Sequence, residues 1–221
     1  MGRRVVLGVL GLAALAVVVG PALQDRLATN IRPIADLLPS AGRFRIYSVV
    51  GHLPHRDRAE YKLRVDGLVD RPFTITYEEL AQMTPTALTR DFQCVTGWRV
   101  DDVAWRGVRV AELLDRAGVQ PNAGALRLHS FDGEYTESLT LDQARRDDVL
   151  CTYELDGKLL SDAHGGPVRL LVAPMYGYKS LKWLERIEVV DRVVPGYWED
   201  RGYDVDAWVG RSNGRDDVPT S

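Results

Sequence analysis

Cysteine is scarce: Cys94 and Cys151 are the only two in a chain of 221 residues. Two thiols cannot build a disulfide-rich scaffold or a four-cysteine zinc site. Lysine is nearly as scarce. Only four of the 28 basic residues are lysines, and two of these, Lys179 and Lys182, stand three positions apart. A basic excess is missing as well, because 31 acidic residues leave a formal charge of −3. That excludes an electrostatic footprint for nucleic acid. Internal repeats and low-complexity tracts are absent. What remains is ordinary globular composition, 45% hydrophobic and 27% charged, which excludes a collagen-like or disordered chain.

One long apolar run is present, at the N-terminus. Val5–Ala22 is 18 residues without a charge, preceded by Arg3-Arg4 and followed by Asp25-Arg26. At ~1.5 Å per residue this run covers about 27 Å, close to the ~30 Å of a bilayer core. The arginines favour an N-terminus in the cytoplasm, with the following domain outside it. They also form a twin-arginine pair ahead of Val5-Val6-Leu7, the pattern of a signal that exports folded proteins. No clear Ala-x-Ala cleavage site follows, so the expectation is an uncleaved anchor at the cell membrane, with secretion as the alternative if the segment is removed. The chain then divides into a signal or anchor segment (1–24), an arginine-rich connecting stretch with Pro33, Pro39 and Pro54 (25–58), a folded domain (59–210) and a frayed tail (211–221).

Within the domain, Tyr61–Val65 alternates as a strand does and turns at Asp66-Gly67. Strands are also predicted at Thr74–Thr76, Leu88–Val95, Ala125–Phe131, Tyr135–Leu139, Val149–Leu155, Val168–Ala173 and Ile187–Val190. Short helices are predicted at Tyr77–Gln82, capped by Thr76 with Glu79 three residues on, at Val110–Ala117 before Gly118, and at Leu141–Arg146 after Thr140. Strands dominate and do not alternate strictly with helices, which argues for an α+β fold rather than a doubly wound sheet.

Three segments carry residues suited to chemistry. Cys94 ends a predicted strand just before Gly97, where a sharp turn can bring the thiol into a cleft. It reads either as a soft metal ligand or as a buried structural cysteine. Cys151 has no turn beside it and reads as core. His164-Gly165-Gly166-Pro167-Val168-Arg169 offers backbone N–H groups and a guanidinium, which suit phosphate or another anion; the alternative is a turn entering a strand. Tyr176-Gly177-Tyr178-Lys179-Ser180-Leu181-Lys182-Trp183 adds two ammonium groups and a hydroxyl, either to complete that anion site or as a solvated basic loop.

The order of Phe92-Gln93-Cys94, His164-Gly-Gly-Pro-Val-Arg169 and Gly177-x-Lys179-Ser180-x-Lys182-Trp183 resembles the molybdopterin-binding domain of the sulfite oxidase family, over residues 50–208. That family includes plant nitrate reductase and the periplasmic methionine-sulfoxide reductase catalytic subunit. The resemblance implies an α+β domain with a mixed sheet and a molybdenum–molybdopterin cofactor. It further implies an oxygen-atom transfer oxidoreductase acting on a small sulfite- or sulfoxide-like substrate. It makes Cys94 the metal ligand and places His52, His164, Arg169 and Lys182 at the cofactor, with Lys179 and Ser180 in the same loop as bystanders or backbone donors. It makes Tyr203 a substrate-pocket tyrosine that orients substrate or relays a proton. Two departures weaken a site for a small dianion. Val95-Thr96-Gly97-Trp98-Arg99 stands where sulfite oxidases have Ala-Gly-Asn-Arg-Arg, and Ser48-Val49-Val50-Gly51 lacks their arginine before His52. No haem motif is present, so a separate electron-transfer partner is expected, a membrane cytochrome given the anchor.

Two rival readings use the same residues. A metal-free thiol enzyme would pair Cys94 with His129 or His164 as base. An anchored, non-catalytic module would retain the scaffold alone.

Overall fold

The computed structural model describes residues 44–220. The apolar run, the twin arginines and most of the connecting stretch lie outside the described residues. Among the described residues, no helix is long and apolar enough to cross a membrane.

Two five-stranded sheets make the frame. The first has the order β2-β1-β10-β5-β6, from β1 (Lys62–Gly67), β2 (Phe73–Thr76), β5 (Ala125–Ser130), β6 (Thr136–Thr140) and β10 (Leu184–Val190). It is mixed, because β1 runs parallel to β10 while the other neighbours are antiparallel. The second sheet is antiparallel throughout: β3 (Thr86–Gln93), β4 (Arg99–Arg109) and β7 (Val149–Leu155), with β8 (Lys158–Leu159) and β9 (Arg169–Val172) both paired to β7. The connection from β1 to β10 contains all of the second sheet.

Sequence pattern explains why the sheets differ. In β1, Leu63 and Val65 are buried while Lys62 and Arg64 are exposed. That is the alternation of a strand with one face covered. In β9 all four residues are buried, as are the first five of β7. Their apolar stretches, Leu170-Leu171-Val172 and Val149-Leu150-Cys151, fit strands covered on both faces. Cys151, Leu170 and Val172 face the main core, whereas Leu150 and Leu171 face a second cluster with Phe44, Phe92 and Trp105.

The helices are short. α1 (Tyr77–Gln82) and α3 (Leu141–Ala144) each start with a complete capping box, Thr76 with Glu79 and Thr140 with Gln143. α2 (Val110–Ala117) buries Val110, Leu113, Leu114 and Ala117 in the main core and ends at Gly118, which adopts the left-handed conformation glycine tolerates. Leu114→Ala would cost roughly 2–5 kcal/mol, the usual range for a truncated core leucine.

Two structural findings depart from the sequence reading. β4, the 11-residue partner of both β3 and β7, was not anticipated. Asp102 takes a positive φ within it, and the pairing with β3 shifts register between Arg90 and Phe92, so strict alternation is broken. The tail from Ser212 is also not frayed. Arg99 donates to the carbonyls of Val218 (2.8 Å) and Pro219 (3.2 Å), Tyr176 donates to Asp217 (2.8 Å), and Thr220 donates to the Ala173 carbonyl (3.0 Å). Side chains from the domain recruit the tail, a signal the tail's own polar sequence does not carry.

Candidate active site

Cys94 directly follows β3. Its N–H donates to the Trp98 carbonyl (2.9 Å) and its carbonyl accepts from the Gly97 N–H (3.0 Å), closing a tight turn in which Gly97 has a φ of 92°. The strand end and turn place the thiol on the wall of a cavity of about 210 Å³. Cys94 Sγ lies 3.2 Å from the Thr96 hydroxyl, and both cysteines are free thiols. Burial pushes the Cys94 thiol up, while Thr96, Arg215 and Arg45 pull it the other way. Cys151 lies in the core, where burial pushes its thiol up to about 12.

The two later loops meet at the same wall. Gly177 donates to the Gln93 carbonyl (2.8 Å), and a Cβ at Gly177 would fall 2.5 Å from the Phe92 ring. Only glycine lets this loop seat on the cysteine strand. Gly165 plays the same part against Lys182, whose Cβ lies 2.7 Å from where a Gly165 Cβ would be. Arg169 then ties the loops together from β9, donating to the carbonyls of His164 (3.0 Å) and Ser180 (2.7 Å).

As a result, Cys94, His164, Arg169, Ser180, Lys182 and Tyr203 all line one cavity. Two of the residues singled out in the sequence do not. His52 is exposed, with Nδ1 3.1 Å from the Val50 carbonyl. Lys179 is fully buried, its ammonium committed to Glu137 and Glu199. His129, the alternative base for a thiol enzyme, pairs with Glu188 on the first sheet (2.9 Å) and is not among the lining residues.

The sequence reading also missed part of the wall. Residues 44–49, assigned to the connecting stretch, form one side of the cavity, and Phe44 is buried against Phe92, Trp105 and His164. Their signal was available in the apolar and aromatic residues Phe44, Ile46, Tyr47 and Val49 of this short segment. Trp98, Trp183 and Trp198 complete a largely aromatic lining.

The electrostatics of this lining are lopsided. Arg169 is buried with hydrogen bonds only to carbonyls, and burial lowers it to about 10. Lys182 donates to the Tyr47 carbonyl and lies over the Trp183 ring. Burial lowers it to about 7, with the Arg169 charge adding to that and Asp132 opposing it. Among the described residues, no carboxylate lies within ion-pairing distance of either cation. Arg169 is buried and Lys182 partly so, and withdrawing such charges from water without an acid partner is costly unless an anion joins them.

Comparison with known proteins decides the family. Residues 50–198 match the oxidoreductase molybdopterin binding domain. The chain belongs to this family. It is 35% identical to the oxidoreductase YuiH of Bacillus subtilis, over 72% of this chain and 81% of that protein. It is 33% identical to the protein-methionine-sulfoxide reductase catalytic subunit MsrP of Ralstonia nicotianae, over 62% of this chain and 46% of that one. Among solved structures it is similar to the sulfane dehydrogenase SoxCD of Paracoccus pantotrophus, with a TM-score of 0.59 and 25% identity over 64% of this chain and 41% of that chain. It thus spans most of YuiH and less than half of the other two.

The cavity fits the family's cofactor. Among the described residues, no group of three or more His, Cys, Asp or Glu could hold a metal ion. The cavity offers one thiol and two cations, Arg169 at the start of β9 and Lys182 on the following loop, with no acid within ion-pairing distance of either among the described residues. That donor set suits a metal whose remaining ligands belong to an anionic, phosphate-bearing organic group.

Proposed function

We propose that this protein transfers an oxygen atom to or from a small substrate at molybdenum, with Cys94 as the protein's metal ligand and Arg169 and Lys182 holding the pterin phosphate. The observation that carries this reading is the sharing of one aromatic cavity by a thiol and two cations lacking acid partners. When bound, the cofactor supplies two-electron oxygen-atom transfer; the chain supplies placement, charge and water exclusion.

Each residue has a role consistent with its surroundings. The Ser180 hydroxyl oxygen accepts from the Val172 N–H (2.9 Å), which orients the side chain at the wall, and its carbonyl fixes Arg169. His164 borders the cavity beside Phe44 and is the second cofactor contact of its loop. Tyr203 packs between Tyr178 and Trp198, with ring centroids 5.4 and 5.2 Å away. Burial raises its phenol, and the nearby Cys94 adds to the effect. A phenol held neutral in this way is a hydrogen-bond donor to a substrate oxygen.

The substrate class we favour is a neutral sulfoxide. Reducing a sulfoxide to a sulfide takes two electrons and two protons and releases water. The lining matches such a substrate better than a small dianion, because Trp98 stands where sulfite oxidases have an arginine and the walls are aromatic. A metal-free thiol enzyme is disfavoured, since His129, one of its two candidate bases, pairs with Glu188 on the first sheet and does not line the cavity. Electrons would come from a separate partner, a cytochrome at the membrane to which residues 5–22 would anchor the domain.

The test is elemental analysis of purified protein, followed by turnover with sulfite, sulfoxides and N-oxides. The expected result is about one molybdenum per chain and sulfoxide turnover with a reduced dye as electron donor. Active protein free of molybdenum would overturn the reading.

A further inference from the structure

Lys182 has a place in this reading, whereas Lys179 does not. Lys179 Nζ lies 2.7 Å from Glu137 Oε1 on β6 and 2.7 Å from Glu199 Oε1, which begins the turn Glu199–Arg201. None of these three side chains is more than 2% exposed. Two carboxylates beside one ammonium leave a net negative charge in a dry site, which a retained proton relieves.

The hydrogen bonds indicate which acid holds the proton. Glu137 Oε1 accepts from Lys179 and from the Ser138 N–H (2.9 Å), while Glu137 Oε2 is buried with no other partner. Glu199 accepts from Lys179 on one oxygen and from the Gly196 N–H (3.0 Å) on the other. The open Oε2 is where a retained proton is accommodated, which makes Glu137 the neutral acid and Glu199 the anion facing Lys179. Burial pushes the Glu137 carboxyl well up against the pull of Lys179. On Glu199 burial acts in the same direction but is outweighed by the hydrogen bond from Glu137 and the charge of Lys179, so it is lowered.

Glu199 sits within the aromatic wall. Trp198 precedes it, the Gly202 N–H donates to its carbonyl (3.0 Å), and the Tyr203 N–H donates to the Trp198 carbonyl (3.2 Å). Tyr178, the neighbour of Lys179, donates to the Asp204 carbonyl (2.6 Å). The loop and the wall are thus joined twice.

We infer that Lys179 and Glu199 are positioning residues whose buried ion pair fastens the Trp198–Tyr203 wall to the loop carrying Lys182, and so sets substrate fit rather than cofactor retention. This rests on the reading of the cavity given under Proposed function.

The test compares the holoenzyme with Glu199→Gln, Glu137→Gln and Lys179→Met. Molybdenum content, kinetics with methionine sulfoxide and a reduced viologen, and tryptic cleavage after the exposed Arg201 are measured on each. For Glu199→Gln we expect unchanged molybdenum, a KM raised about tenfold with kcat within about threefold, and cleavage at Arg201 about tenfold faster, as for loss of one charged hydrogen bond. Glu137→Gln should stay within about twofold on all three, because an amide replaces a neutral acid of the same shape. Should Lys179→Met or Glu199→Gln fail to fold, Glu199→Asp, which keeps the charge and shortens the reach, should shift KM and cleavage in the same direction. Loss of molybdenum at unchanged cleavage would make Lys179 a cofactor contact and overturn the inference, as would unchanged KM and cleavage in Glu199→Gln. Equal damage from Glu137→Gln would overturn the assignment of Glu199 as the anionic partner. Wild-type protein without molybdenum would refute the reading of the cavity instead; cleavage at Arg201 would then decide the fastening alone.

Discussion

Lys179 and Lys182 belong to one loop, three residues apart, yet they occupy opposite electrostatic situations. Lys179 faces two glutamates and is wholly enclosed. Lys182 borders a cavity, receives a carbonyl as its hydrogen-bond partner and stands beside another cation, Arg169. The difference shows how to tell a structural charge from a ligand-binding one. A buried cation with its acids in place is already compensated, whereas one without acids stores an unmet demand for an anion. The same distinction divides the whole region into a cavity side and an enclosed side. Substitutions on the first should act on chemistry and cofactor, and those on the second on stability or fit.

The largest expected effect is on the cavity side. Cys94→Ser should reduce turnover by about a thousandfold or more, because a hydroxyl is a poor substitute for a thiolate at a soft metal. Its melting temperature should stay within a few degrees, since the residue is a half-buried member of a turn. Wild-type turnover in Cys94→Ser would break the comparison at its cavity end. On the enclosed side, Lys179→Met should cost roughly 3–5 kcal/mol in denaturant unfolding, as for a buried ion pair that loses one partner. Lys182→Met should cost little or raise stability, because it removes an uncompensated cation. Equal losses from the two lysines would erase the distinction.

How much of this was readable in the sequence depended on range. Local chemistry was clear: the capping boxes at Thr76 and Thr140, the stop at Gly118 and the turn after Cys94 all follow from neighbours within a few residues. Cys151 was readable as core because no turn lies beside it. The order of motifs brought six cavity residues into one hypothesis. What failed required partners distant in sequence. β4 hides its alternation behind a bulge set by β3, and the tail is ordered by Arg99 and Tyr176, which lie about 119 and 41 residues earlier. The resemblance set Lys182 at the phosphate and Lys179 beside it, but the acid partners of Lys179 were hidden, because Glu137 lies 42 residues before it and Glu199 lies 20 after it.

Lys182 gives an intermediate effect with a sign set by pH. Its folded value of about 7 lies below the ordinary 10.5 of lysine. Below about pH 7 both folded and unfolded chains hold the proton, and the cost of burying the ammonium is felt in full. Between about 7 and 10.5 the folded chain releases the proton first, so the stability of cofactor-free protein should rise with pH across that window. A bound phosphate favours the ammonium and reverses the sense, so cofactor affinity should be highest below about pH 7 and fall above it. Lys182→Met should flatten both profiles and weaken cofactor binding by roughly 10–100-fold, the value of a charged hydrogen bond. Unfolding scans across pH and cofactor titration of apoprotein measure the two arms.

The smallest effect separates nearness in sequence from membership of the wall. His52 lies three residues beyond Val49, which lines the cavity, and the family resemblance sets it at the cofactor edge. In the structure it is exposed and, among the described residues, held by the Val50 carbonyl alone. A side chain so placed has no buried partner to lose, so His52→Ala should leave molybdenum content, kcat and KM within about twofold of wild type, as exposed substitutions generally do. Arg45 provides the contrast, because it lines the cavity and its charge reaches Cys94. A tenfold loss in His52→Ala, with the fold intact, would mean that residues 45–52 seat differently once cofactor is bound, and the cavity side would then extend past Val49 to include the histidine.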